Sequence, residues 1–254
     1  MSPLNPPRIS IITVTFNAEK VLEETIKSIL AQTYKNIEYI VIDGGSKDGT
    51  LDIVNKYRDK ISYFISEPDK GLYDAMNKGM KAATGDYVWF MNAGDLIYDN
   101  GTLEKVLSTQ YLVLSTDVLY GETEMIDDNG TTLGMRRLKA PETLTWKSLQ
   151  RGMVVCHQSF IVKREKCIPF DLQYRIASDI NWMIEVLKNS HSIYNTHLIL
   201  AKFRTSGLSY QNIPTSLRER FGIMIRNYGF LTTLFNHIIL GVNFVVYVIR
   251  HKRF

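Results

Sequence analysis

Cysteine is nearly absent from this sequence of 254 residues, where Cys156 and Cys167 stand alone. Two cysteines make neither a disulfide framework nor a zinc-ligand pattern, and that suits a reducing compartment. The N-terminus, MSPLNPPRIS, has no apolar core of signal-peptide length, so a cytoplasmic location is the expectation. Two nucleotide-binding signatures are missing as well: the glycine-rich loop with its P-loop lysine, and the GxGxxG dinucleotide fingerprint. Any nucleotide bound here is held in another way. Charge of one sign is scarce too. The formal balance is +4, and Arg250-His251-Lys252-Arg253 at the C-terminus supplies three of the positive charges. Basicity that local does not describe a nucleic-acid groove, and no nucleic-acid partner is expected.

What is present is ordinary globular composition, with 45% hydrophobic and 22% charged residues in a chain long enough for a full core. After a proline-rich lead-in over 1–7, β-branched apolar residues at 9–14 predict a buried strand ending at Thr15-Phe16-Asn17. Residues 18–32 carry Val21, Leu22, Ile26, Ile29 and Leu30 at helical spacing. A second strand over 37–42 ends at Asp43, followed by a loop with three glycines in which backbone can approach a ligand closely. A helix over 51–57, capped by Asp48 or Thr50, and a short strand over 61–66 come next.

The stretch 71–95, GLYDAMNKGMKAATGDYVWFMNAGD, reads as loop, helix, turn, buried strand and an abrupt polar end. Asp74, Asn77 and Lys78 share one helical face. The apolar run 87–91 ends at Asn92-Ala93-Gly94-Asp95. Strand and helix thus alternate from residue 9 to residue 91, which predicts an α/β fold with a mostly parallel, doubly wound sheet. Thr15, Asp43 and Asp95 would gather along one edge, where such sheets bind ligands.

Past Asp95 the pattern loosens. A short helix at 102–107, a hairpin formed by 118–126 and 131–138, and a short helix at 146–151 are expected. Residues 153–162 read as a strand with His157-Gln158 at its middle. Ala177-Ser178-Asp179 opens a helix to Leu187, and Asp179 in its first turn meets the helix N–H dipoles. A strand lies within 192–203, followed by a polar loop holding Arg204 and Ser209. A basic helix over 216–228 precedes the apolar run 230–249, interrupted by Asn236, His237, Gly241 and Asn243. That run is long enough to span a membrane, but its polar residues favour a helix lying in the interface, with its basic end toward anionic headgroups, or packing on a partner.

The segments 9–17 (ISIITVTFN), 38–50 (EYIVIDGGSKDGT), 71–95 and 177–179, in this order, resemble the family 2 glycosyltransferases of GT-A fold, in particular the branch that builds bacterial surface polysaccharides. The resemblance spans most of 8–210. It implies a GT-A domain over 1–210, with 211–254 as a helical, membrane-associating tail. It also implies inverting transfer of a hexosyl or N-acetylhexosaminyl group from a nucleoside-diphosphate sugar, with UDP the expected nucleotide. The acceptor would be a lipid-linked saccharide at the inner face of the membrane.

By the same resemblance Asp95 is similar to the family's metal-binding aspartate, so a divalent cation, Mn2+ or Mg2+, is the expected cofactor. Asn92 and Gly94 stand where aspartate is frequent, which departs from the family pattern. Thr15, Asn17, Asp43, Asp74, Asn77, Lys78, Asn92 and Ala93 are the expected donor contacts. Met76 occupies a position held by arginine in many relatives, and Lys78 or Lys70 is the substitute charge. Asp179 resembles the catalytic base, while His157 and Gln158 resemble a pair on the acceptor side. Two other readings stay open at this point: a nucleotidyltransferase, and a non-catalytic sugar-nucleotide-binding subunit.

Overall fold

A computed structural model describes residues 6–108, 115–207 and 212–251. The chain begins with the predicted alternation: β1 (Ile9–Thr15), α1 (Leu22–Leu30), β2 (Ile37–Asp43), α2 (Thr50–Lys56), β3 (Tyr63–Ser66), α3 (Leu72–Ala82) and β4 (Tyr87–Phe90). The strands pair in the order β3-β2-β1-β4, all parallel. Helix α1 starts later than expected because residues 18–21 form a turn, in which the N–H groups of Val21 and Leu22 both donate to the Ala18 carbonyl.

The second half is β5 (Leu96–Ile97), α4 (Thr102–Leu107), β6 (Val118–Ile126), β7 (Thr132–Met135), β8 (Phe160–Lys163), α5 (Ser178–Lys188), β9 (Ile193–Arg204), α6 (Ile213–Tyr228) and α7 (Phe230–His251). Here the sheet becomes mixed. Strand β8 runs antiparallel to β4 and β6, β9 is parallel to β6, and β5 closes the far edge antiparallel to β9. The hairpin β6–β7 forms as the sequence predicts.

Period-two alternation divides the side chains of the central strands between two apolar layers. Ile12, Val14, Ile40, Ile42, Val88 and Phe90 face α3, α5 and α6. Ile9, Ile11, Tyr39, Val41 and Trp89 face α1, α2 and α4. Each large apolar side chain fully buried in this way stabilises the fold by about 1.5–3 kcal/mol. Helix α3 lies very close to the sheet at Gly79, where an added Cβ would stand 2.4 Å from Ile12 Cγ2. Met76, in the same helix, is fully buried in the core. Helix α6, beyond the expected domain end at 210, contributes Ile223 and Met224 to the first layer.

Two expectations are corrected here. Residues 153–162 are not one strand: His157–Ser159 form a 3-10 turn, and only Phe160–Lys163 pair in the sheet. In a strand His157 and Gln158 would face opposite sides, whereas the turn lets both reach one site. Arg204 is not part of the expected polar loop. It ends β9 almost fully buried, and its guanidinium donates to the carbonyls of Gly94 (3.0 Å), Asp127 (2.9 Å) and Asp128 (2.6 Å) and meets Glu24 at 2.5 Å. Ser209 lies outside the described residues.

Candidate active site

Strand order 3-2-1-4 puts a topological switch point between β1 and β4, and the crevice beyond their C-terminal ends is where open α/β sheets hold ligands. The polar strand ends meet there as expected. Thr15 pairs in register with Asp43, and the N–H of Ala93 donates to the carbonyl of Val14. Gly94, at φ 100°, turns the chain after β4 and the next residue, Asp95, meets Gln158 and the Arg204 backbone.

Five of the expected residues form two contacting groups. In one, Asp95 accepts from Gln158 Nε2 (2.7 Å) and from the Arg204 N–H (3.2 Å). Burial pushes its carboxyl up to about 6, against the pull of Gln158, His157 and Arg204. In the other, His157 stands between Asp179 and Asn92, with Nδ1 3.3 Å from Asp179 Oδ2 and Nε2 3.2 Å from Asn92 Nδ2. A proton on Nδ1 serves Asp179 and leaves Nε2 to accept from the Asn92 amide.

Asp179 opens α5, and its Oδ1 accepts from the Ile180 N–H (2.8 Å). Burial works against its ionisation, but the His157 hydrogen bond and the Arg220 guanidinium hold the carboxyl below the usual aspartate range. A buried carboxylate kept ionised beside a crevice is suited to accept a proton.

Three buried oxygens in this neighbourhood have no hydrogen-bond partner: Thr15 Oγ1, Asn92 Oδ1 and Gln158 Oε1. Unpaired buried acceptors are costly unless a ligand, ion or water completes them. Among the described residues no group of three or more His, Cys, Asp or Glu is placed to hold a metal. The Asp95 carboxylate with the Asn92 and Gln158 amide oxygens is nonetheless a hard-oxygen set that fits Mg2+ or Mn2+.

The other expected donor contacts are engaged within the fold. Asp43 is fully buried and organises its own loop, accepting from the N–H groups of Gly45 and Ser46 (both 3.0 Å) and from the Ser46 (2.5 Å) and Ser66 (2.6 Å) hydroxyls. Asn17, in a left-handed conformation at φ 48°, accepts from the Lys47 N–H (2.9 Å). Asn77 pairs with both backbone groups of Phe170 (3.0 and 2.7 Å). Lys78 pairs with Glu67 at 2.8 Å, and Asp74 accepts from the Lys70 N–H (3.0 Å).

Three residues escaped the sequence reading. Phe16 stands 61% exposed at the tip of β1, against Gly44. A large apolar residue between Thr15 and Asn17, on a tip otherwise small and polar, was the available signal. Arg220 lies near Asp179, and its buried Nε has no partner. Glu219, beside it, accepts three backbone N–H groups. Main-chain partners leave no mark in a sequence, so no signal pointed to Glu219.

Comparison with known proteins agrees with this fold. An uncharacterized glycosyltransferase of Mycobacterium tuberculosis is 29% identical over 254 residues, covering 95% of this chain and 93% of that protein. A PGL/p-HBAD biosynthesis glycosyltransferase of Mycobacterium bovis is 28% identical, covering 96% and 90%. Among solved structures, S. aureus TarS 1-349 in complex with UDP superposes with a TM-score of 0.65 at 23% identity, over 85% of this chain and 64% of that one. Mannosyltransferase PcManGT from Pyrobaculum calidifontis, in complex with GDP-Man and Mn2+, gives 0.64 at 19% identity, over 88% and 66%. The chain spans only 39% of the longer TarS chain. These neighbours share the GT-A type of mixed α/β sheet with flanking helices. The model of glycosyl transferase family 2 matches residues 10–168, and the chain belongs to that family.

Proposed function

We propose that this glycosyltransferase inverts the anomeric centre of a nucleoside-diphosphate sugar, a UDP-sugar by preference, and passes the sugar to a lipid-linked glycan at the inner face of a bacterial membrane. The observation that carries the reading is Asp179: buried, held ionised, and tied through His157 to Asn92 at the end of β4. UDP in one structural neighbour supports the donor class.

Asp179 takes the proton of the acceptor hydroxyl as that oxygen bonds to the anomeric carbon, opposite the breaking bond to the diphosphate. His157 orients the carboxylate and keeps it charged. Thr15 Oγ1 offers a hydrogen bond to the nucleoside, and the exposed Phe16 ring offers a stacking face for the base. Asp95, with the Asn92 and Gln158 amide oxygens, would hold the divalent cation. When bound, that cation supplies Lewis-acid neutralisation of the departing diphosphate.

The membrane part rests on the tail formed by residues 211–254. Leu231, Phe235 and Ile238 of α7 and Leu217 of α6 are exposed, an apolar surface larger than a solvated helix needs. Among the described residues no helix is long and apolar enough to cross a membrane, and the proposal is of a tail that lies on the membrane surface. Loss of liposome co-flotation in Leu231→Glu/Phe235→Glu would agree, and undiminished flotation would remove this part of the reading.

The chemistry is tested by hydrolysis of a panel of UDP-hexoses, UDP-N-acetylhexosamines and GDP-mannose, with Mn2+ or with chelator. Mn2+-dependent hydrolysis of one member, lost in Asp179→Asn while donor binding persists, is the expected result. Donor binding with no turnover, unaffected by Asp179→Asn, would make the chain a sugar-nucleotide-binding subunit instead.

A further inference from the structure

The loop that delivers Asp179 has little regular structure of its own. Residues 170–177, between β8 and α5, run irregularly; Arg226 of α6 stands 3.7 Å from the Asp171 carboxylate, and hydrogen bonds hold the backbone from outside at three points. Asn77 holds Phe170 by both backbone groups, and the Tyr73 hydroxyl donates to the Ile176 carbonyl (2.7 Å). The third point is Glu219. Its Oε1 accepts from the Arg175 N–H (2.9 Å), and its Oε2 accepts from those of Ile176 (2.8 Å) and Ala177 (2.9 Å). Three consecutive N–H groups converging on one carboxylate make an anion nest. The last of them belongs to the residue immediately before α5, two positions from Asp179.

Glu219 comes from α6, the helix whose sequence reads as part of a membrane-associating tail. That helix is firmly seated. Ile223 and Met224 are buried in the core, and Tyr228 stacks on Trp146 with ring centroids 5.4 Å apart and planes 6° from parallel. The clamp is therefore mounted on a fixed support. Without it, three N–H donors at a partly buried loop would lose their acceptor, and the loop could relax toward water.

We propose that Glu219 is a positioning residue for Asp179: its grip on the three N–H groups sets where the base sits over the anomeric centre. The proposal rests on the reading of Asp179 as the base. It makes α6 an element of the catalytic apparatus as well as a link to the tail. Displacing a reacting group by a fraction of an ångström to an ångström slows chemistry by about tenfold to a hundredfold without touching ligand affinity.

The test compares Glu219→Ala and Glu219→Gln with wild type, Asp179→Asn and Tyr228→Phe in the full chain. Donor hydrolysis is read on the panel member that wild type turns over. Tyr228→Phe removes the hydroxyl bond to the Trp146 carbonyl (2.6 Å) but leaves the clamp in place. The expected pattern is a fall in kcat of about tenfold or more in Glu219→Ala, with donor KM held within about twofold. Glu219→Gln, which keeps one acceptor oxygen, should fall in between, and Tyr228→Phe should keep wild-type kcat even if its Tm drops. Amide exchange of peptides covering 175–180 should quicken in Glu219→Ala while those covering 72–82 do not.

Wild-type kcat in Glu219→Ala would overturn the proposal. So would a parallel loss in Tyr228→Phe, which would reduce Glu219 to general docking of α6. If Asp179→Asn keeps its turnover, the reading of the base fails first. If Asp179→Asn is dead and Glu219→Ala is not, the clamp alone fails. Should the panel be silent, unchanged exchange at 175–180 in Glu219→Ala still refutes the clamp, and quickened exchange upholds it.

Discussion

Asp95→Asn should make the metal-free protein more stable while ending its turnover. Burial raises the Asp95 carboxyl from an ordinary 3.8 to about 6. The folded state therefore holds the proton more tightly than the unfolded chain does. This group's penalty is absent well below pH 3.8, grows as pH rises through that value, and is complete above pH 6. At 1.36 kcal/mol per pH unit of displacement, the ionised carboxylate costs the fold about 3 kcal/mol at pH 8 and less than about 1 kcal/mol at pH 4. Asparagine carries no such penalty.

The neighbours can accept an amide at this position. The Arg204 N–H still finds an oxygen, and a flip of the Gln158 amide would turn its unpartnered Oε1 toward the new NH2 group. The assay is thermal or urea unfolding in chelator at pH 4 and pH 8. The variant should melt higher by roughly 6–12 °C at pH 8 and nearly level with wild type at pH 4. Adding Mn2+ at pH 8 should raise wild type and leave the variant unmoved. A gap of the same size at both pH values, or a variant less stable at pH 8, would refute the account of a strained, buried carboxylate.

Three other outcomes follow from residues already placed. Arg204→Ala leaves three carbonyls without their donor, and its exposed partner Glu24 contributes little, so a loss of about 3 kcal/mol is expected in urea unfolding. Gly79→Ala forces a Cβ to 2.4 Å from Ile12 Cγ2. Overpacking of about 1–3 kcal/mol exceeds the gain of about 1 kcal/mol in helix propensity, and the Tm should fall. Phe16→Ala should weaken nucleotide binding by about 1–3 kcal/mol in calorimetry, the usual scale of base–aromatic stacking, while stability stays within about 0.5 kcal/mol because the ring is largely exposed. Unchanged affinity would remove Phe16 from the site.

The first half of the fold was readable because each strand is a continuous apolar run and each helix has one apolar face. Ile9 to Phe90 needs only local pattern and the handedness of crossovers. The second half depends on long-range pairings, such as β8 inserting between β4 and β6, that leave no periodic trace. The site shows the same division. Asp95 and Asp179 stood out because each is a carboxylate beside the end of a regular element, although a helix first turn also gives Asp179 a structural role. His157 and Gln158 stood out as polar residues, but the apolar run around them disguised their turn as a strand. Asp43 and Asn77 have the right chemistry and the right position, yet their hydrogen bonds are consumed by the loop and by Phe170. Glu219 was invisible because a charged helix beside an apolar one resembles a membrane anchor, and its partners are amides common to every residue.

The flat packing of Trp146 on Tyr228 has an optical consequence. Of three tryptophans, Trp89 and Trp182 are sealed in the interior. Trp146 is only half-buried, and the ammonium groups of Lys188 and Lys147 stand 5.4 Å and 5.7 Å from its ring. Its emission depends on whether α6 is seated, since undocking replaces a phenol face by water and frees Lys188 from its bond to Asn227 of α6. The chain thus carries its own fluorophore at the contact between α6 and the turn that holds Trp146. A titration with lipid vesicles can be followed by the colour of that indole, without a label, in the same cuvette as the reaction.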